Sequence, residues 1–242
     1  MEAELFDAIH RHGKRHWWFR GRRAVAFALI DRYFDRRGGA VLDLGCGAGT
    51  NLEELTRYGA VSGADPSAQA LEYCRTFFKG RLDEVWLPDK VPYADATFDL
   101  VVMLDVLEHV EDDAGALKQV FRILKPGGTL ALTVPALRWL WSQHDVEHHH
   151  FRRYHRPDLR ALLTAQGFEI RYISYAMFLL LPPMGLARLL LRPKTWSSKD
   201  LESGTRPSAR LFEWIFAFER HLMRIAPLPI GGSLVAIARK PP

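Results

Sequence analysis

The sequence predicts an α/β fold: a doubly wound, mostly parallel sheet with an N-terminal helical cover and a late helical insertion. Three observations point to it. Short apolar runs alternate with helical segments between residues 40 and 175, the pattern of a parallel sheet buried between helices. The first run passes directly into a glycine-rich loop, VLDLGCGAG at 41–49, with another helical segment behind it. A last apolar run, Ser233–Arg239, returns near the carboxyl end after a long segment of different character.

The elements follow in order. Residues 3–12 and 22–36 read as helices, with Trp17, Trp18 and Phe19 between them. In the second, Ala24, Val25, Phe27, Ala28, Leu29 and Phe34 supply an apolar stripe, while Asp31, Arg32 and Asp35 face outward. Gly38 and Gly39 end that pattern, and Ala40–Leu44 is the first strand. Val61–Ala64, Leu100–Leu104 and Thr129–Val134 are the next strands, separated by helices near 50–58, 67–78 and 112–124. In LKPGGTL, Pro126 limits the preceding helix and two glycines permit a turn before the strand at 129. Asp158–Gln166 is a helix stopped by Gly167, and Phe168–Tyr175 is the strand after it. Between this strand and the last lie an apolar Leu/Pro run, a loop-like KTWSSKDLESGTRPS and an amphipathic helix at 208–225. The expected division is therefore a cover at 1–36 and one domain at 37–242, with the insertion at 176–232.

Composition narrows the function classes. A chain of 242 residues with 48% hydrophobic content holds one sizeable core. Lys and Arg exceed Asp and Glu by 33 to 28, a net charge of +5. Without a broad basic tract or a reader motif, that excess argues against a nucleic-acid partner, while favouring anions locally. Cys46 and Cys74 do not make a secreted-protein framework, and the first residues lack an apolar signal core, so a cytoplasmic location is expected. Ala176–Leu191 contains Pro182, Pro183 and Arg188 and falls short of the roughly 20 apolar residues of a membrane span. Its apolar surface suits internal packing, an acceptor tunnel, a homodimer interface or peripheral membrane contact, with Arg188, Arg192 and Lys194 beside it for an anionic surface.

A GxGxG loop alone is a weak sign. Here Asp43 precedes Gly45, Gly47 and Gly49, and Asp65 follows at the end of the next strand, where a carboxylate can accept hydrogen bonds from ribose hydroxyls. These residues by themselves fit nucleotide binding, a nicotinamide dinucleotide oxidoreductase included. A non-catalytic cofactor-binding scaffold is the third reading.

The blocks VLDLGCGAG, GADPS, VPYADATFDLVVMLDVLEHV and LKPGGTLALTVP occur in the order that resembles class I S-adenosylmethionine-dependent methyltransferases. The resemblance covers roughly residues 38–175. It implies S-adenosylmethionine as cofactor, with Gly45 and Gly47 bordering its methionine part, Asp65 on the ribose and Asp43 supporting the loop or the ammonium group. Asp105, after the fourth strand, would lie beside the methionine portion or the acceptor. The chain departs from the family at the adenine position. Where relatives carry an Asp or Asn ahead of LPF, this chain reads VWLPDK before VPY, leaving Asp89, or Leu87 and backbone groups, for that role. A narrower similarity, to bacterial small-molecule and lipid-pathway methyltransferases, is carried by HWWFRGRR and by WLWSQHDVEHHHFRRYHRPDLRALLTAQGF. The implied partner is a small methyl acceptor, anionic or amphiphilic.

The acceptor-facing candidates follow the fifth strand. Trp139 and Trp141 offer apolar walls, Arg152 or Arg153 can hold a carboxylate or phosphate, and Tyr154 lies beside them. One of the arginines can instead brace Asp145 or Glu147. His144, His148 and His109 are the candidate bases, His144 first among them. His144 and His148 stand four apart, but without an HExxH motif or a cysteine group no metal is expected. Trp17 and Trp18 can close over the acceptor, with Arg20, Arg22 and Arg23 meeting an anionic group; packing of the first helix is the alternative.

Overall fold

The computed structural model describes residues 2–35, 38–182 and 209–242. Seven strands form one sheet in the order β3-β2-β1-β4-β5-β7-β6. They are β1 (Gly39–Leu44), β2 (Gly59–Asp65), β3 (Arg81–Glu84), β4 (Phe98–Leu104), β5 (Leu124–Pro135), β6 (Glu169–Ala176) and β7 (Ser233–Arg239). The pairs β3-β2, β2-β1, β1-β4 and β4-β5 are parallel, while β7 inserts antiparallel between β5 and β6. Strand order reverses between β1 and β4, so the loops after these two strands open the crevice where α/β sheets hold ligands.

The helices are α1 (Glu2–Arg15), α2 (Trp17–Tyr33), α3 (Leu52–Leu55), α4 (Ala68–Arg75), α5 (Asp113–Ile123), α6 (Gln143–Glu147), α7 (Arg156–Ala165) and α8 (Ala209–Ile225). Side-chain caps set several starts. Ser67 accepts from the N–H of Ala70 at α4, and Asp112 accepts from the N–H of Gly115 at α5. The central strands β4 and β5 are buried along almost their whole length, as two-sided covering requires. The cover is tied to the body on both sides. Helix α1 lies against α4, and α2 lies against β5, β7 and α8.

Several elements differ from expectation, and β5 already begins at Leu124, so Lys125–Gly128, read as a turn before the strand, lie within it. Trp17, Trp18 and Phe19 begin α2 rather than linking two helices, because the His16 ring accepts from the N–H of Trp18 and caps the helix at that point. The helix near 50–58 contracts to Leu52–Leu55, since the glycine loop occupies the residues before it. The edge strand β3 reads RLDE, a short polar run with no hydrophobic alternation to reveal it. Most of the apolar run at 176–191 and all of KTWSSKDLESGTRPS lie outside the described residues. Among the described residues no helix is long and apolar enough to cross a membrane.

Candidate active site

The glycine loop is built by backbone geometry. Gly45, Gly47 and Gly49 adopt φ of +82°, +49° and +71°, a region where a Cβ is strained. The N–H groups of Gly45 and Cys46 both donate to the carbonyl of Ala64, at 2.7 and 3.0 Å, hooking the loop onto the end of β2. A Cβ on Gly45 would collide with Val106, whereas one on Gly47 would meet no atom within 4 Å. Gly45 therefore packs against the loop after β4, and Gly47 leaves room for a ligand to approach the main chain.

Asp65 closes this cradle. One carboxylate oxygen accepts from the N–H of Gly47 at 2.8 Å and the other from the N–H of Ser67 at 2.9 Å. Each oxygen keeps a lone pair for a further donor such as a hydroxyl. Burial raises the Asp65 pKa and the two backbone donors oppose the shift. Asp43 lies beneath, 1% exposed, with Oδ2 buried and unpartnered. Burial first, then the neighbouring Asp65, push its pKa up to about 7. An unsatisfied buried carboxylate beside an open glycine backbone is a setting suited to a cationic, hydroxyl-bearing ligand.

Across the crevice Asp105 follows β4 at a left-handed φ of +58°. Its N–H donates to the Thr133 carbonyl at 3.0 Å, and the Thr133 hydroxyl donates to its Oδ1 at 3.1 Å. Arg22, reaching in from α2, forms an ion pair with that same Oδ1. The Arg22 guanidinium also stands 5.7 Å from the Trp18 ring, and its Nε is buried and unpartnered. Its two basic neighbours turn elsewhere, Arg20 to Glu213 and Arg23 to Glu54. Beside Arg22 a small apolar recess of about 10 Å³ lies between α2, α8 and the sheet, lined among others by Val25, Thr133, Met177, Phe216 and Val235.

The segment after β5 is organised by a buried ion pair. Arg153 donates from Nε and Nη2 to the two carboxylate oxygens of Asp145, at 2.7 and 3.0 Å, and from Nη1 to the Ala136 carbonyl at 3.0 Å. The bracing of Asp145 that the sequence left as an alternative is thus found at Arg153. Arg152 reaches Asp113 and the Glu111 carbonyl, and the Tyr154 hydroxyl bonds to Asp113. Trp139 and Trp141 are exposed at 58% and 42%. Trp17 stacks on Phe212 of α8 at 4.5 Å, the packing alternative for that residue. Asp89 is exposed in the turn between Trp86 and Lys90. His109 belongs to a short 3-10 turn, Leu107–His109, and burial with the nearby His150 lowers its pKa to about 4. His148 is exposed, its pKa also lowered by partial burial and His150, while the side chain of His144 lies outside the described residues. Thr133 and Glu108 escaped the sequence reading. Thr133 sits in an unbroken apolar strand, and Glu108 gives no pattern that separates it from a solvated helix-end residue.

Comparison with known proteins decides the family. Residues 18–173, more than half of the chain, match the family described as a methyltransferase domain. The chain belongs to that family. A probable S-adenosylmethionine-dependent methyltransferase of Mycolicibacterium smegmatis is 29% identical over 166 residues, covering 65% of this chain and 61% of that protein. A ubiquinone/menaquinone biosynthesis C-methyltransferase of Desulfotalea psychrophila is 33% identical, covering 71% of this chain and 68% of that one. The fold is that of phosphoethanolamine N-methyltransferase 2 of Haemonchus contortus in complex with S-adenosyl-L-methionine, at a TM-score of 0.60 and 19% identity, covering 90% of this chain and 52% of the other. The chain thus spans less than two thirds of the Mycolicibacterium relative's length. The family's cofactor is S-adenosylmethionine, and the open Gly47 backbone, the Asp65 carboxylate and the unpartnered Asp43 oxygen fit it.

Proposed function

We propose that this methyltransferase-family protein transfers a methyl group from S-adenosylmethionine to a small anionic acceptor with an apolar body. The observation that carries the acceptor class is the Arg22–Asp105 ion pair beside the apolar side chains where α2 and α8 meet the sheet. An acceptor carboxylate or phosphate can take Arg22 in place of Asp105, and the apolar walls hold the remainder. A neutral acceptor would have to break that pair without replacing it, so the same contact supplies discrimination.

When bound, the cofactor supplies an electrophilic methyl on a sulfonium centre. Asp65 holds hydroxyl groups through its spare lone pairs, and Asp43 offers negative charge to a cationic ligand. Asp105, once released by Arg22, faces the same crevice from the β4 side. The α2 cover and Phe216 exclude water from the acceptor end, so that alignment and desolvation supply most of the acceleration. His109, held neutral near pH 7, can accept a hydrogen bond from an acceptor hydroxyl but is a weak base. His144 and His148 remain the candidates for proton removal. The named relatives act in quinone biosynthesis and on phosphoethanolamine, the second a small phosphorylated acceptor.

Calorimetric titration with S-adenosylmethionine, S-adenosylhomocysteine and NAD tests the cofactor reading, with saturable binding of the first two expected and binding of NAD alone overturning it. A methylation screen pairing carboxylated or phosphorylated amphiphiles with their neutral analogues tests the acceptor reading. Preference for the neutral members would remove the role of Arg22.

A further inference from the structure

One cluster near the crevice shares only His109 with the proposed transfer. Glu108, His109 and His150 each offer a ligand atom, and the three atoms lie within 4.8 Å of one another. Glu108 is 1% exposed, and its Oε2 is buried without a hydrogen-bond partner. The ionised form of such a carboxylate is costly unless a cation meets it. No arginine or lysine pairs with it among the described residues, and the positive charges acting on it, Arg22 and Arg153, are committed to Asp105 and Asp145.

The His150 imidazole is oriented from behind. His150 engages Asp145 Oδ1 through Nδ1 at 3.0 Å. Asp145 is fixed in turn by Arg153 and by the N–H of Ser142. The His109 ring lies beside the backbone of His148. Its ring meets that of His150 edge-on with centroids 4.6 Å apart. A carboxylate bond on the far nitrogen, as Asp145 gives His150, is the usual outer support of a metal-bound histidine, fixing tautomer and ring direction. The segment is also pinned, since the N–H of Phe151 donates to the carbonyl of Glu108 at 2.8 Å.

We propose that Glu108, His109 and His150 bind one divalent transition-metal ion, of which zinc suits the ligand set best. Two imidazoles and one carboxylate leave a further coordination position open, as in sites that hold water or a substrate oxygen. The site differs from the His144/His148 pairing weighed from the sequence, and it stands whether or not the acceptor proposed above is right.

The test uses the whole chain, stripped with a chelator and dialysed. Titration with zinc chloride at pH 7.5 should show one equivalent bound tightly. Saturating zinc should raise the melting temperature by roughly 5 °C, the size expected when ligand stands about a hundredfold above its dissociation constant. Cobalt substituted for zinc should give a visible d–d spectrum of a four- or five-coordinate ion. Glu108→Gln keeps the shape and removes the charge, and His109→Ala removes a ring from the cluster. Each should weaken zinc binding at least tenfold and abolish the cobalt spectrum, while S-adenosylmethionine affinity stays within threefold. His148→Ala and His149→Ala, on exposed neighbours, serve as controls and should retain the bound equivalent. The proposal is overturned if the wild-type chain takes up no zinc at tens of micromolar. It is equally overturned if Glu108→Gln and His109→Ala, folded by circular dichroism, bind zinc as the parent does.

Discussion

The two walls of the crevice are made differently. The wall proposed for the cofactor, from β1 to the start of α4, is main chain: left-handed glycines, a loop hooked to Ala64, and Asp65 accepting two backbone N–H groups. The wall proposed for the acceptor is made of side chains brought from distant positions, Arg22 to Asp105, Arg153 to Asp145 and His150 to the Glu108–His109 turn. Backbone geometry tolerates one ligand shape, and side chains can be exchanged without moving the fold. Changes on the first wall should therefore remove cofactor binding, and changes on the second should alter stability or acceptor choice while leaving cofactor binding intact.

The largest expected effect lies on the acceptor wall and concerns stability. Arg153→Met strands the fully buried Asp145 carboxylate, and a broken buried pair costs about 3–5 kcal/mol. Chemical denaturation should show that loss, and a change below about 1 kcal/mol would mean that Asp145 is sustained by Ser142 and His150 alone. Those donors and Arg153, working against burial, hold the Asp145 pKa below the ordinary carboxylate range. With the folded pKa depressed, this contribution is complete above the unfolded value near 4 and fades as the pH falls below it.

Next in size is Gly45→Ala. The added methyl meets Val106 and the residue sits at φ +82°, so the loop must move. Affinity for S-adenosylmethionine should fall at least a hundredfold by calorimetry, about 2.7 kcal/mol. Unchanged affinity would show that the glycine loop is not the binding wall. Smaller again, Arg22→Gln should lower kcat/KM for an anionic acceptor roughly tenfold, about 1.4 kcal/mol, with cofactor affinity unchanged. A loss confined to cofactor binding would move Arg22 to the other wall.

The same division explains what could be read from the sequence. Six of the seven strands and the glycine loop are local patterns, each contained within a dozen or so residues. The seventh, β3, is short, polar and at the edge. Arginines near the acceptor were legible as a class, yet which of them reaches the crevice depends on how α2 crosses the sheet. Arg22 faces Asp105, Arg20 goes to Glu213, and Arg153 is consumed by Asp145. Glu108 is a functional candidate only because burial leaves Oε2 without a partner, a property of packing rather than of residue type.

Asp43 gives the smallest effect and the sharpest separation of the two walls. Its pKa, raised by burial and by Asp65 to about 7, makes the free protein carry a largely neutral acid below neutrality and a carboxylate above it. A cationic cofactor favours the carboxylate, so affinity for S-adenosylmethionine should strengthen several-fold between pH 6 and pH 8. The fold responds in the opposite direction. A raised folded pKa contributes stability that is complete below the unfolded value near 4 and is lost as the pH rises through about 7, because only the folded state holds the proton in that window. Asp43→Asn should flatten both dependences, while Arg22→Gln should leave them as they are. A pH-independent affinity in the parent, measured calorimetrically in buffers of matched ionic strength, would mean that Asp43 supports the loop without meeting the cofactor's charge.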